Sequence, residues 1–285
     1  MSSPLPAIST KDHVLKLAQK LPASPQIFSR LTVILNDVNA DLGKIVNLIS
    51  IDTGLTARVI RLSNSVFFRG SSTVQSLDEA IGRIGFQEVH KIVGVVMTEQ
   101  ISKGGLSAYG FTAAQIWENS VATALAMEAL AQEANEETHV AYTVGLLRQI
   151  GKHVFCRLLE KEQPGVVCPD DTDLSTWERA RLNLASHEAA SLILESWKLP
   201  PPVVRGMRYH YQPEVSQTDG PLGALLHLSC WVVESMGLGM KVEAPLWEPT
   251  SERLGMANVS EDTLRDCIES TQQKLDRLKK ELASS

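Results

Sequence analysis

Apolar residues recur along this chain at steps of three and four, and the alternating Val, Ile and Thr pattern of half-buried strands is almost absent, so the sequence predicts an all-α protein. Ser24 followed by Pro25 reads as an N-cap with proline at the first helical position. It opens SPQIFSRLTVILND, in which Ile27, Leu31, Ile34 and Leu35 share one face. Asp41 is placed to cap DLGKIVNLISID in the same way. SLDEA at 76–80 and STWER at 175–179 have the S-x-x-E spacing of a capping box, in which hydroxyl and carboxylate satisfy each other's orphan backbone donors. Each predicts a helix start, and GLTARVIRLSNSVFF and FQEVHKIVGVVMTEQIS supply two further helices.

The pattern divides the chain into two helical lobes, residues 1–110 and 111–285. KGGLSAYGF at 103–111 reads as the linker, because its glycines and small residues break the preceding helix. TAAQIWENSVATALAMEALAQEA then begins a long alanine-rich helix of strong intrinsic propensity. The proline run in KLPPPVV at 198–204 ends another helix. At the C-terminal end Leu264, Ile268, Thr271, Leu275, Leu278 and Leu282 form a heptad seam. Such a stripe at 260–283 suits pairing between subunits in a homo-oligomer, but docking onto the protein's own surface is the simpler expectation, and the polar Thr271 favours it.

Composition narrows the class. Hydrophobic residues make up 44% and charged residues 21%, the range of a soluble globular protein, and the net charge is -6. An acidic chain is poorly suited to wrapping nucleic acid. Residues 1–100 carry 10 basic against 8 acidic side chains and the remainder 17 against 25, so the first lobe is the expected contact for an anionic partner. Cys156, Cys168, Cys230 and Cys267 are far apart in sequence, which suggests neither a zinc knuckle nor a disulfide framework and fits a reducing cytoplasm. No apolar run approaches the roughly 20 residues of a membrane span.

One stretch resists a purely structural reading. In AYTVGLLRQIGKHVF, residues 141–155, Arg148 and Gln149 interrupt a segment whose apolar spacing faces a core. The surrounding motifs explain them. The D-x-x-L-T-A-R-x-x-R-L-x-N-S run at 52–65, the S-L-D-E-A-I-x-x-I-G run at 76–85, WENSVATALAMEAL, GLLRQIGK, SHEAASLILESWKLPPPVV and LLHLSCW together resemble the HDOD domain, an HD-related output domain of bacterial signalling proteins. The resemblance implies a two-lobed helical fold with an HD-domain-like second lobe. HD-superfamily phosphohydrolases hold divalent metal with histidines and aspartates, which generate a hydroxide nucleophile and polarise a phosphoryl oxygen. At the matching positions this chain has Asn119 for the first histidine, Arg148 and Gln149 for the His-Asp pair, and Cys230 for the final aspartate.

A guanidinium has no lone pair to offer and a neutral amide is a poor donor to a divalent ion, so the resemblance implies a degenerate metal site. Arg148 is expected to form a network with Glu118 or Glu188 in place of the metal, and Gln149 to hydrogen-bond Asn119. His187, His210 and His227 survive in the remnant cleft. They are read as hydrogen-bonded cleft histidines, with a residual zinc site as the alternative. His13, His90, His139 and His153 lack ligand-like spacing, and Cys156 near His153 reads as a small buried hydrophobe rather than a nucleophile. No phosphate loop, dinucleotide fingerprint or serine-hydrolase elbow is present.

Arg58 and Arg61, with Asn64 and Ser65 a turn further on, form a polar helix face suited to an anion or acidic partner, although salt bridges to Asp52 and Asp78 are the simpler reading. A helix-turn-helix can be drawn over DLGKIVNLISIDTGLTARVIRLSNS, but the small positive excess argues against nucleic acid as a partner. The expectation is a non-catalytic regulatory protein, without cofactor, that binds signalling proteins supplied in trans. The rivals are a metal-dependent phosphohydrolase using His187, His210 and His227, and a sensor that binds a nucleotide or other anion through Arg148.

Overall fold

The computed structural model describes residues 10–21, 23–35, 42–64, 73–216 and 220–283. Among these the regular structure is helical apart from one antiparallel bridge between Leu106 and Phe111, so the predicted all-α class is the class adopted. Helix α1 (Thr10–Ala18) is followed by α2 (Ala23–Leu35), α3 (Leu42–Ser50), α4 (Thr53–Ser63), α5 (Leu77–Ile84) and α6 (Phe86–Ser102). Beyond residue 111 come α7 (Ala113–Glu133), α8 (Thr138–Leu147), α9 (Ile150–Glu162), α10 (Leu174–Leu182), α11 (Ser186–Ser196), α12 (Pro201–Tyr209), α13 (Leu222–Ser235), α14 (Ser251–Ala257) and α15 (Glu261–Ala283). Helices α2, α4 and α5 pack on α6 and α3 lies among α2, α4 and α5, while α7 packs on α8, α13 and α15, and α11 packs on α9 and α12. Helix α1 leaves the first lobe and lies on α9 and α11, so the division at residue 110 does not describe it.

Local chemistry accounts for most helix ends. Asp52 opens α4 by accepting from the Leu55 N–H at 2.9 Å, and Ser76 opens α5 by accepting from the Glu79 N–H at 3.2 Å. Thr112 and Gln115 form a reciprocal capping box at the start of α7. The proline run both stops α11 and, with Pro201 at the first helical position, starts α12. STWER departs from its predicted role. Asp173 caps α10 instead, accepting from the Thr176 N–H at 2.7 Å, and Glu178 turns into the core, where Tyr109 and the Ser186 N–H donate to it. Helix α2 is already formed at Ala23, while the Ser24 side chain, Asp41 and Ser65 lie outside the described residues.

Residues 103–111 are not a loose connector. Leu106, Ala108 and Tyr109 are buried, the Leu106 and Phe111 backbones bond each other, and Cys168 N–H donates to the Ala108 carbonyl. One apolar cluster therefore runs through both lobes. The C-terminal seam also faces inward. Leu264, Thr271 and Leu275 are buried as α15 lies along α7 and α13, and the Cys267 thiol points at the Ala126 carbonyl.

Two glycines bring helices close on either side of Arg148 and Gln149. A Cβ at Gly145 would lie 2.6 Å from the Ala124 Cα, and one at Gly151 would lie 2.0 Å from the Ser186 carbonyl oxygen. Gly82, on the exposed side of α5, meets nothing within 4 Å. Gly151→Ala should therefore lower stability by about 3 kcal/mol through overpacking. Gly82→Ala should raise it by roughly 0.5–1 kcal/mol through helix propensity. Urea-denaturation midpoints measured side by side check both signs.

Candidate functional site

The apolar pattern through 141–155 belongs to two helices, not one, and Arg148 and Gln149 form the step between α8 and α9. The two close-approach glycines fix that step against α7 and α11. Asn119, from the middle of α7, meets it. Its side-chain oxygen accepts from Arg148 Nη2 at 3.0 Å and from Gln149 Nε2 at 3.1 Å, and its own amide donates to the Leu238 carbonyl at 2.9 Å. The predicted contact between Asn119 and Gln149 is thus made, with Arg148 sharing the same acceptor.

The acidic partner of Arg148 is neither Glu118 nor Glu188. Glu118 sits beside Asn119 on α7 but points away from the site to Lys279 of α15, at 2.7 Å. Glu188 turns back on the start of α11, accepting from the Ala185 N–H and pairing with Arg179, both at 3.0 Å. The carboxylate comes from Glu243, in the strap of residues 237–250 between α13 and α14. Arg148 Nη1 reaches both of its oxygens, at 3.0 and 2.9 Å. Lys152 Nζ donates to Oε1 at 2.6 Å, and the Tyr211 hydroxyl donates to the same oxygen at 2.8 Å. Glu243 has no exposed surface, and the side chains of Arg148 and Lys152 are 2% and 3% exposed. Trp247 of the same strap lies over the guanidinium, 5.6 Å from ring centre to Cζ.

Electrostatics follow from this burial. Desolvation alone would push the Glu243 carboxyl up, but Arg148 and then Lys152 outweigh it and hold the group well below its ordinary value. Burial, and then the Glu243 charge, push the Tyr211 hydroxyl far up, so it stays a donor. Lys152 also bears on Glu178, the second buried carboxyl, whose pKa is pushed up chiefly by desolvation. The Tyr109 OH and the Ser186 N–H both donate to Glu178, at 2.7 and 2.6 Å. Cys230 is buried, and burial pushes its thiol up to about 12, so it is a neutral, apolar occupant of its position.

The three cleft histidines are neighbours without forming a ligand set. His227 Nδ1–H donates to the His210 carbonyl at 2.9 Å, while Nε2 accepts from Arg253 Nη1 at 3.0 Å, so both ring nitrogens are committed. His210 Nδ1–H donates to the Met207 carbonyl at 2.7 Å, and its ring lies parallel to Trp247. His187 stands 6.2 Å from His210, ring centre to ring centre, and desolvation, followed by Lys152, drives its pKa down to about 3. Among the described residues no three His, Cys, Asp or Glu side chains converge in a way that holds a metal ion. The donors here do not fit a divalent cation, which would face two fixed positive charges and a carboxylate whose oxygens are already bonded.

The second predicted face is dispersed. Arg58 pairs with Glu99, not with Asp52 or Asp78, because Asp52 is spent on capping α4 and α4 packs alongside α6. Arg61 is exposed. Asn64 is a structural clamp: its amide donates to the Ile60 and Val74 carbonyls at 3.0 and 2.8 Å, and its oxygen accepts from the Val74 N–H at 2.7 Å. Sequence reasoning missed Lys152, Glu178, Tyr211, Glu243 and Trp247. The available signal was charge balance, since a cation inside an apolar run requires a buried anion somewhere.

The chain is thus an all-α protein built around a buried, arginine-centred ion network. The HDOD domain profile matches residues 21–213, and the chain belongs to the HDOD family. Solved structures share the fold. An HDOD domain protein of unknown function from Geobacter sulfurreducens superposes with a TM-score of 0.65 at 19% identity, over 93% of this chain and 96% of that one. A protein from Shewanella amazonensis SB2B, provisionally named a phosphohydrolase, gives 0.63 at 22% identity, over 92% and 93%. One from Marinobacter aquaeolei VT8, provisionally named a signal transduction protein, gives 0.64 at 21% identity, over 90% and 57%. An uncharacterized protein of Treponema pallidum (strain Nichols) is 25% identical over 222 residues, and the match spans 72% of this chain but only 41% of that protein. Among the described residues no helix is long and apolar enough to cross a membrane.

Removing the Glu243 charge leaves two buried cations opposed by less than they need. Glu243→Gln should cost about 3–5 kcal/mol at neutral pH, read by urea denaturation. Because the folded pKa of Glu243 lies below its ordinary value of 4.5, its contribution is complete above that pH and is lost as pH falls through the folded value. The buried histidines act earlier. His187 and His90 are held near 3 and His153 near 4, against 6.5 when unfolded, so the unfolded chain takes up protons first. Stability should therefore fall from pH 6.5 toward pH 4, which urea midpoints at pH 7.5 and pH 5 will reveal.

Proposed function

We propose that this chain is a non-catalytic HDOD signalling module that acts by binding regulatory proteins in trans. The observation that carries the reading is the Arg148–Glu243–Lys152 network, in which Arg148, one of the residues that by resemblance match HD ligand positions, is a fixed cation bonded to a buried counter-charge. A metal-activated hydroxide requires an open coordination site and basic ligands. Asn119, Arg148, Gln149 and Cys230 supply neither, and His227 has no nitrogen to spare. Family membership supports a signalling role, and the provisional name of the Marinobacter relative points the same way. The four cysteines are free and buried, which suits a reducing cytoplasm.

The rival reading is hydrolysis of phosphate esters, as the provisional name of the Shewanella relative suggests. Elemental analysis of protein purified without a histidine tag separates the two. The expected result is iron, manganese and zinc well below one per chain and no turnover of nucleotide or aryl phosphate esters. Stoichiometric metal with turnover would reverse the reading. Affinity capture from the native organism should then retain a defined regulatory protein, and retention of abundant chaperones alone would count against an interaction role.

A further inference from the structure

The network has an asymmetry that its role as a substitute for metal does not explain. Its donors, Arg148, Lys152 and Tyr211, all lie within the matched family segment, residues 21–213, whereas the carboxylate they hold lies beyond it, in the strap. Without the strap, two cations and a phenol would converge from the α8–α9 step and the end of α12 with no carboxylate bonded to them, since Glu178 and Glu234 act on Lys152 and Arg148 only through space. The guanidinium is also incompletely used. Glu243 takes both of its bonds from the single nitrogen Nη1, Nη2 goes to Asn119, and Nε is buried without a partner. Arginine holds carboxylates best through two nitrogens at once. Glu243 is therefore a workable occupant and not the best the fork can take.

We propose that Arg148, Lys152 and Tyr211 form an oxyanion receptor for a small carboxylate, which the protein keeps occupied with its own Glu243. The receptor is set by the helices, and the strap supplies a tethered ligand whose effective concentration is high because it is part of the chain. A free carboxylate enters only where the Glu243 side chain is absent or withdrawn. Asn119 holds the guanidinium plane in place in either case, through the bond to Nη2. The assignment is independent of the signalling reading, since a non-catalytic module works with or without an exchangeable occupant.

Chemical complementation tests it on the full chain. Glu243→Ala should melt below the parent protein, and sodium formate or acetate should raise its melting temperature by about 5 °C in a saturating manner. Sodium chloride at equal ionic strength should give no saturating rise. The parent protein, with its receptor filled, should respond to formate and chloride alike, and Glu243→Ala combined with Arg148→Met should lose the formate response. If Glu243→Ala fails to fold in chloride, its refolding yield is compared in formate and in chloride by circular dichroism, and recovery in formate alone supports the receptor. Equal responses to formate and chloride in Glu243→Ala, or no recovery in either, would overturn the assignment. So would a formate response that survives Arg148→Met.

Discussion

A carboxylate with no exposed surface, held by two cations and a phenol, is the constraint on which this protein's second lobe depends. Charges enter a protein interior at high cost, and they remain charged only where the geometry returns most of that cost through paired bonds. Here the return is spread over four parts of the chain: Asn119 on α7, Arg148 and Lys152 around the α8–α9 step, Tyr211 after α12, and Glu243 in the strap. A shift of any one of these segments lengthens bonds to a buried charge. An apolar plug of equal volume would tolerate sliding, so the ionic arrangement specifies register as well as holding the site together.

The same arrangement rewrites the chemistry of the cleft. An HD-type metal centre concentrates positive charge on an ion and surrounds it with electron-pair donors. This chain places the positive charge on side chains and surrounds it with acceptors. The fold is shared with a provisionally named phosphohydrolase, and a shared fold does not by itself fix a shared chemistry. His210 and His227 are absorbed into the aromatic packing around Trp247, each donating to a backbone carbonyl, while His187 lies against Tyr211 with its Nδ1 buried and unpaired.

Much of this was legible in the sequence. The helical class followed from periodicity, and the inward face of α15 from its seam. Arg148 and Gln149 stood out because polar side chains in an apolar run need a reason. The pairing of Gln149 with Asn119 followed from the types of the two side chains. What was not legible came from geometry between elements. Adjacent residues on a helix point about 100° apart, so with Asn119 facing the site Glu118 had to face α15. Glu188 was claimed by its own helix start. Glu243 lies in an irregular strap with no periodicity to mark it, and Lys152 reads as a surface residue until its neighbours are known. Glu178 was mistaken for part of a cap because Asp173, two residues before the predicted Ser175, is an equally good capping residue.

The placement of α1 affects how the chain assembles as it is made. This helix finds its seat on α9 and α11, and α11 begins only at Ser186. At ordinary rates of translation, roughly ten to thirty seconds separate the appearance of α1 from that of the surface it covers. During that interval the apolar side of α1, including Val14 and Ala18, has no permanent neighbour, although both are buried in the finished fold. The helices around α6 can condense without it. Docking of α1 is thus a late event, because it joins a segment to a partner surface made well over a hundred residues after it.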